Sequence, residues 1–387
     1  MDEKWMEYLN VSSMKTTTKQ EYSPGLAGVI AGESAICWVD PDAGLTYRGY
    51  DIHQMAEKST FEEVVWLLFH GELPTDQQLA SLRLEMQRER ELPPPVIEML
   101  HLLPKKTHPM DALRTGMSML STFDDDLSDL SVEANVRKAI RIIARASTLI
   151  TDSWRILQGE DLLPSRDDLP HAANFLYRLQ GVEPETWKTK MLDTIFVLYA
   201  DHDFNASTFS ARVTASTLAD IYAAITSAIG TLKGPLHGGA NQESIHMLEQ
   251  IRTPEDAESW LQEKLAKKEK IMGFGHRVYK TGDSRVPIMR ELARDLGKRC
   301  GQTHWVPVCE ELEKVMWREK QLCANVDLYA APVFLMLDLP AQLNTPLFAC
   351  SRVSGWCAHV IEQQKNNRLI RPRSLYTGPA KRDYPME

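Results

Sequence analysis

Two histidines of this chain sit between glycines. One lies in Gly234-Pro235-Leu236-His237-Gly238-Gly239-Ala240-Asn241, the other in Met272-Gly273-Phe274-Gly275-His276-Arg277-Val278-Tyr279-Lys280. Glycines let a backbone approach a ligand closely. A histidine held rigidly in such a loop suits general acid–base work, because its ordinary pKa lies near neutrality. Either histidine alone is more often a satisfied structural residue than a catalyst; the repeated context raises the case for catalysis. Asp327, in Asn325-Val326-Asp327-Leu328-Tyr329, borders an apolar run. Partial desolvation there would raise its pKa and strengthen it as a base; the competing reading is a helix N-cap. Arg285, Arg352 and Arg371 are scattered along the chain. If the fold brings them together, their planar forks suit a small di- or tricarboxylate. Lys264, Lys267, Lys268 and Lys270 precede the second histidine loop. They form either a solvated helix end or a phosphate site beside glycine N–H groups. The loop is no dinucleotide fingerprint, since GFGHRV lacks the third glycine and no strand pattern precedes it.

Two other constellations compete. Glu98-x-x-His101 and Glu243-x-x-His246 have the i, i+3 spacing of di-iron carboxylate bundles. Pro95 and Pro104 confine the first to a short helix, and the second follows directly on a glycine loop. Asp201-His202-Asp203 looks like a metal-binding His-Asp doublet, but no upstream histidines at helical spacing accompany it. HExxH, the P-loop and GxSxG are absent. A metal-binding helical bundle stays as an alternative reading on the two Glu-x-x-His matches, although no metal is expected.

The elements that must position these residues are mainly helical. Ala35 to Tyr50 carries short β-type runs on either side of Asp40-Pro41-Asp42-Ala43-Gly44, a hairpin signal and the one convincing β region. Ser59 with Glu62 predicts a capping box for FEEVVWLLF, closed by Gly71. Thr75 with Gln78 predicts another, on a helix with its stripe at Leu79, Leu82 and Met86, stopped by Pro93-Pro94-Pro95. A further stripe runs through Val136, Ile140, Ile143, Ser147 and Ile150. Asn205 to Gly230 is rich in Ala, Ser and Thr, which predicts a closely packed helix pair in the core or at an oligomer interface. Asp124-Asp125-Asp126 reads as a solvated loop.

Composition sets outer bounds. The chain has 387 residues, 43% hydrophobic and 25% charged, with a formal net charge of −9. That composition is globular rather than disordered, and the acidic excess counts against a nucleic-acid binder. It says nothing of a small pocket, whose field is set by a few local side chains. The longest apolar run, Leu328 to Leu337, is about half of the ~20 residues a membrane-spanning helix needs, and Pro332 interrupts it. The acidic, mixed N-terminus does not read as a secretory signal. Six cysteines (Cys37, Cys300, Cys309, Cys323, Cys350 and Cys357) include no CxxC, and they read as reduced thiols of a cytoplasmic protein.

GPLHGGAN, GFGHRVYK and NVD, in that order and spacing, resemble the citrate synthase family. The resemblance extends through LTYRGYDI at 45–52, FEEVVWLLFHGELP at 61–74, HPMDALRT at 108–115, HAANFLY at 171–177, DHDFNASTF at 201–209, SRVSGWCAHVIEQ at 351–363 and IRP at 370–372. It implies an all-α fold with a large helical domain (1–238 and 339–387) interrupted by a smaller closing domain (239–338), working as a homodimer. It implies the tricarboxylic acid cycle condensation of acetyl-CoA with oxaloacetate, without metal or cofactor. By the same resemblance, Asp327 is the base that takes a methyl proton from acetyl-CoA and His237 steadies the enol oxygen. His276 meets the oxaloacetate carbonyl. His202, Arg285, Arg352 and Arg371 hold the oxaloacetate carboxylates, Arg371 reaching in from the partner subunit. Lys270, Ile271, Met272, Gly273 and Phe274 match the loop that reads the CoA adenine, and Lys280 and Asn325 lie near the same ligand.

Two stretches depart from the family pattern. The usual Asp-Pro-Arg triplet reads Asp283-Ser284-Arg285, and LYAAPV replaces the aromatic-serine-glycine stretch after the base. The second lies close to the acyl group in the family, so it leaves 2-methylcitrate synthesis from propionyl-CoA as the alternative activity. One methylene is worth only about 1–3 kcal/mol to a pocket.

Overall fold

The computed structural model describes residues 22–41, 44–251, 253–275, 279 and 282–384, without the side chains of 240–242. The fold is all-α apart from one small sheet. Strands β1 (Cys37–Asp40), β2 (Gly44–Tyr47) and β3 (Tyr50–Asp51) pair antiparallel in that order, with Cys37 opposite Tyr47 and Thr46 opposite Asp51. The expected hairpin is thus present, extended by a third short strand.

The first helices are α1 (Ile52–Lys58), α2 (Phe61–His70), α3 (Asp76–Arg88), α4 (Pro94–His101) and α5 (Pro109–Leu120). The capping box of α2 falls one residue later than Ser59 and Glu62. Thr60 Oγ1 accepts from the Glu63 N–H, and Glu63 Oε2 accepts from the Thr60 N–H at 2.6 Å. Glu62 is buried instead, accepting the His171 N–H at 3.0 Å, and Gly71 closes the helix in the left-handed conformation. The Thr75–Gln78 box forms as expected. However, α3 ends at Arg88, ahead of the three prolines, and Pro94 and Pro95 open α4. Proline fits a first turn, where its missing N–H would have no partner anyway.

Next come α6 (Val132–Gln158), α7 (His171–Gln180), α8 (Thr186–Tyr199), α9 (Ala206–Ser216) and α10 (Ile221–Leu232). The small-residue stretch is the expected helix pair: α9 and α10 pack together closely enough for Ser210 Oγ and Ser227 Oγ to meet at 2.6 Å. The aspartate triplet is not a solvated loop throughout. Asp124 is buried and accepts from Tyr222 Oη and from Arg141 Nη1, both at 2.5 Å. The triplet pattern alone could not reveal partners that lie 17 and 98 residues away.

The remaining helices are α11 (Ala240–Leu248), α12 (Pro254–Ala266), α13 (Val286–Cys300), α14 (Trp305–Lys320), α15 (Val326–Met336) and α16 (Asn344–Lys365). α11 and α13 pack on α15, and α12 packs on α14. α16 is buried along almost its whole length and lies against α6, α9 and α10. Burial on almost every side explains why it has no separate solvent-facing stripe, its polar residues such as Arg352 and His359 being buried with the rest. Segments 22–33 and 371–384 form a unit of their own, mostly exposed, with one 3-10 turn at Pro24–Leu26. No described helix is long and apolar enough to cross a membrane.

Candidate active site

α15 carries Asp327 as its second residue. The cap is Asn325, whose Oδ1 accepts the Asp327 N–H at 3.1 Å, so the N-cap reading of Asp327 is corrected. Asp327 is left free of capping duty. Burial pushes its carboxyl up to about 6, although Arg285 and Arg352 pull the other way. A carboxylate with that pKa is still ionised at neutral pH and is a stronger base than an exposed aspartate. Pro332 within α15 cannot donate to the Leu328 carbonyl, and Cys309 Sγ takes that place at 3.7 Å.

The loop at 271–275 is tied to the same helix end. The Asn325 N–H donates to Gly273 O at 2.9 Å, the Gly275 N–H donates to Cys323 O at 2.8 Å, and Asn325 Nδ2 donates to Gly275 O at 3.0 Å. Gly273 has φ +80°, and a Cβ there would stand 2.9 Å from Leu328 Cβ. Only glycine fits both the conformation and the space. Of the residues matched to CoA, Ile271 is buried, Met272 and Phe274 are half-buried, and Lys270 is exposed. His276 and Lys280 lie outside the described residues.

His237 follows α10 in a tight turn, its N–H donating to Gly234 O at 2.9 Å. A Cβ at Gly238 would sit 2.5 Å from Leu232 Cδ1, and one at Gly239 2.7 Å from Lys233 O. The glycines therefore serve a close turn. The Ser207 N–H donates to His237 Nε2 at 3.3 Å, and Ser207 Oγ lies 2.7 Å from the same nitrogen. An imidazole nitrogen that accepts an N–H carries no proton, so the proton is on Nδ1. Burial, with Arg352 nearby, brings the His237 pKa down to about 4. The ring is neutral at pH 7 and can donate from Nδ1. Ser207 is itself fixed by Trp356 Nε1, which donates to its Oγ at 3.1 Å, and by its place in the first turn of α9, capped by Asn205.

The arginines divide. Arg285 is buried and grips Asp283 with Nε and Nη2 at 3.0 and 2.8 Å, while Asp283 Oδ2 also accepts the Val326 N–H at 3.3 Å. One carboxylate thus joins Arg285 to the start of the base helix. Arg352 is buried on α16, donating from Nε to Tyr199 O at 2.7 Å with its guanidinium over the Phe348 ring at 4.6 Å. Its Nη2 has no hydrogen-bond partner among the described residues. A buried cation with an unused donor edge is suited to an anionic ligand. Burial lowers the Arg352 pKa, and Asp201 and Tyr47 oppose that. The field of Arg352 reaches Asp327, His237, Asp201 and Arg285. These groups come from separate stretches of sequence, and the fold brings them together.

His202 is buried with its ring edge-on to Tyr279 at 5.6 Å. Arg371 belongs to the terminal unit and is exposed there. The rival constellations do not assemble: Glu98, His101, Glu243 and His246 are all exposed, so neither pair faces a bundle interior. Ser207 and Asp283 escaped the reading of single motifs. The available signals were Asn205 at a helix start and the Asp-x-Arg spacing of Asp283 and Arg285, but neither indicates its partner.

Comparison with known proteins finds relatives along nearly the whole chain. The family model described as citrate synthase, C-terminal domain, matches residues 25–373. A relative named citrate synthase 2 from Bacillus subtilis is 45% identical over 93% of this chain and 97% of its own length. A second from the same organism, named citrate/2-methylcitrate synthase, is 44% identical over 93% of this chain and 98% of its own. The solved structure of citrate synthase from Thermoplasma acidophilum, in ternary complex with carboxymethyl coenzyme A and oxaloacetate, superposes with a TM-score of 0.89. It is 31% identical and covers 94% of this chain and 98% of that one. With a family model over nearly the whole chain and relatives at this level of identity, the chain belongs to the citrate synthase family, transferases that act on acyl groups.

Proposed function

We propose that this enzyme condenses acetyl-CoA with oxaloacetate through Asp327, His237 and His276, in a cleft that a lobe at 239–338 closes over. The observation that carries the assignment is the paired state of Asp327 and His237: a carboxylate with a raised pKa and a neutral imidazole whose Nε2 is occupied, both within the field of Arg352. Asp327 takes a proton from the methyl carbon of the thioester. His237 donates from Nδ1 to the carbonyl oxygen as enol character develops there, a contribution worth about 3 kcal/mol in a dry site. The methylene carbon then bonds to the oxaloacetate keto carbon, and His276 supplies the proton that turns the keto oxygen into a hydroxyl. Water cleaves the resulting thioester to citrate and free CoA thiol. Arg285, Arg352 and His202 hold oxaloacetate, with Arg371 added from a partner subunit in a homodimer. Lys270, Ile271, Met272, Gly273, Phe274, Lys280 and Asn325 receive CoA. Each charge that develops is met by a hydrogen-bond donor, so the scheme asks for no metal. The unpaired cysteines support a cytoplasmic setting.

A second reading, 2-methylcitrate synthesis from propionyl-CoA, is favoured by the relative that bears both names and by the small buried Ala330 and Ala331 behind the base. Thiol release with oxaloacetate and each thioester separates the two. Acetyl-CoA is expected to have the higher kcat/KM; a tenfold preference for propionyl-CoA reverses the choice, and no thiol release from pH 6 to 9 overturns both.

A further inference from the structure

The motif at 351–363 supplies one residue to the scheme above, Arg352, yet four of its positions lie along one stripe of α16 and engage consecutive stretches of the protein. Arg352 Nε holds Tyr199 O at 2.7 Å. The Gly355 N–H donates to Ala200 O at 3.1 Å. His359 Nε2 lies 3.1 Å from Asp201 Oδ2. Glu362 Oε2 accepts from Arg212 Nη1 at 2.7 Å, and Arg212 Nη1 also lies 3.0 Å from His359 Nδ1. The spacing i, i+3, i+7, i+10 is that of one helix face. That face runs directly beneath the segment that ends at His202.

Chemistry decides the direction of this chain. Arginine cannot accept a hydrogen bond, so His359 Nδ1 must accept from Arg212 and the ring proton must lie on Nε2, donating to Asp201. His359 and Asp201 are both fully buried. Burial works against the charged form of Asp201, but His359 and Arg352 outweigh it and hold the carboxyl below its usual range. Phe204 packs on the same chain, edge-on to the His359 ring at 5.6 Å and under the Arg212 guanidinium at 4.4 Å. The segment is pinned on its other side by Tyr47 Oη, which donates to Asp201 O at 3.1 Å, and by Cys37 Sγ, which accepts the Asp203 N–H at 3.3 Å. With α16 pressed this close, a Cβ at position 355 would stand 2.3 Å from Ala200 O.

We infer that His359 is a positioning residue for oxaloacetate binding: oriented by Arg212 and Glu362, it fixes Asp201 and through it the placement of His202. The inference rests on the assignment of His202 to oxaloacetate proposed above. It predicts that the two amides closest in shape to histidine differ. The change His359→Gln places a donor where Nε2 stands and keeps the hold on Asp201, whereas His359→Asn keeps an acceptor for Arg212 and loses Asp201.

The test measures oxaloacetate affinity of the full chain by calorimetry, per folded protein, together with KM for each substrate. His359→Asn is expected to weaken oxaloacetate binding about tenfold or more, the scale of one lost hydrogen bond to a charged group. KM for acetyl-CoA should change less than threefold, and His359→Gln should recover most of the loss. Equal affinities for wild type and His359→Asn, or equal losses in both amides, overturn the inference. Should His359→Asn not fold, Glu362→Ala is measured in the same way: severalfold weaker oxaloacetate binding supports the inference and unchanged binding overturns it. His202→Asn runs as a control. If it binds oxaloacetate normally, the assignment of His202 fails; if it loses binding while His359→Asn does not, only the present inference fails.

Discussion

Asp327 is an aspartate that avoids the role its type usually takes at a helix start. Asn325 caps α15 two residues earlier, and the freed carboxylate is desolvated in the field of two arginines. Two expectations belong at this scale. Asp327→Asn removes the base while preserving shape, so turnover should fall by at least about a thousandfold, within the range of a general base's contribution. Oxaloacetate affinity should stay within a few-fold of wild type; thiol release and calorimetry check the pair. The second is a pH profile. Because the Asp327 carboxyl stands at about 6, log kcat/KM for acetyl-CoA should bend downward below that pH toward unit slope as the base protonates. His237, at about 4, stays neutral through the same range and adds no bend there.

At the scale of elements, the site is built where helix ends and one helix face meet. α15 brings Asp327, the turn after α10 brings His237, the first turn of α9 brings Ser207, and α16 brings Arg352. Close approach of α16 to the 200–203 segment depends on Gly355, whose added Cβ would meet Ala200 O at 2.3 Å and Asp201 Oδ1 at 2.4 Å. Both obstacles belong to a buried, pinned segment, so the strain has no easy relief. Gly355→Ala should therefore destabilise the fold by about 1–3 kcal/mol, the usual cost of overpacking. It should also raise KM for oxaloacetate, and a denaturant midpoint with steady-state kinetics reads both.

At the scale of the whole molecule, the proposal that Arg371 acts across a homodimer has a sharp consequence. An Arg371→Ala chain and an Asp327→Asn chain should each be nearly inactive alone. Unfolded and refolded together in equal amounts, half of the dimers are mixed, and each mixed dimer holds one site with both residues intact. About a quarter of wild-type activity should return, as two-fold symmetry requires. If Arg371 serves its own chain, no activity returns. The net charge of −9 is compatible with polyanionic substrates for the same reason of scale: it describes the surface, while Arg285 and Arg352 set the field of the buried site.

What the sequence determined by itself was local or carried by motif. The β1–β2 hairpin followed from Asp-Pro-Asp-Ala-Gly between β-type runs, the α3 box from Thr75 and Gln78, and the α9–α10 pair from the density of small residues. The motifs around His237 and Asp327 were legible because glycine turns and helix starts are encoded by adjacent residues. Even there the register slipped by one at Thr60, since Ser59 and Thr60 satisfy the same rule and only the burial of Glu62 against the His171 N–H separates them. Tertiary structure decided everything that depends on a distant partner. It buried Asp124 against Tyr222, set the proton of His237 through Ser207, tied Arg285 to the base helix through Asp283, and aligned His359 with Asp201. Hydrogen bonds and desolvation act across a few ångströms of space, and the sequence separation of these partners, from 30 residues for Ser207–His237 to 158 for Asp201–His359, carries no record of that distance until the chain has folded.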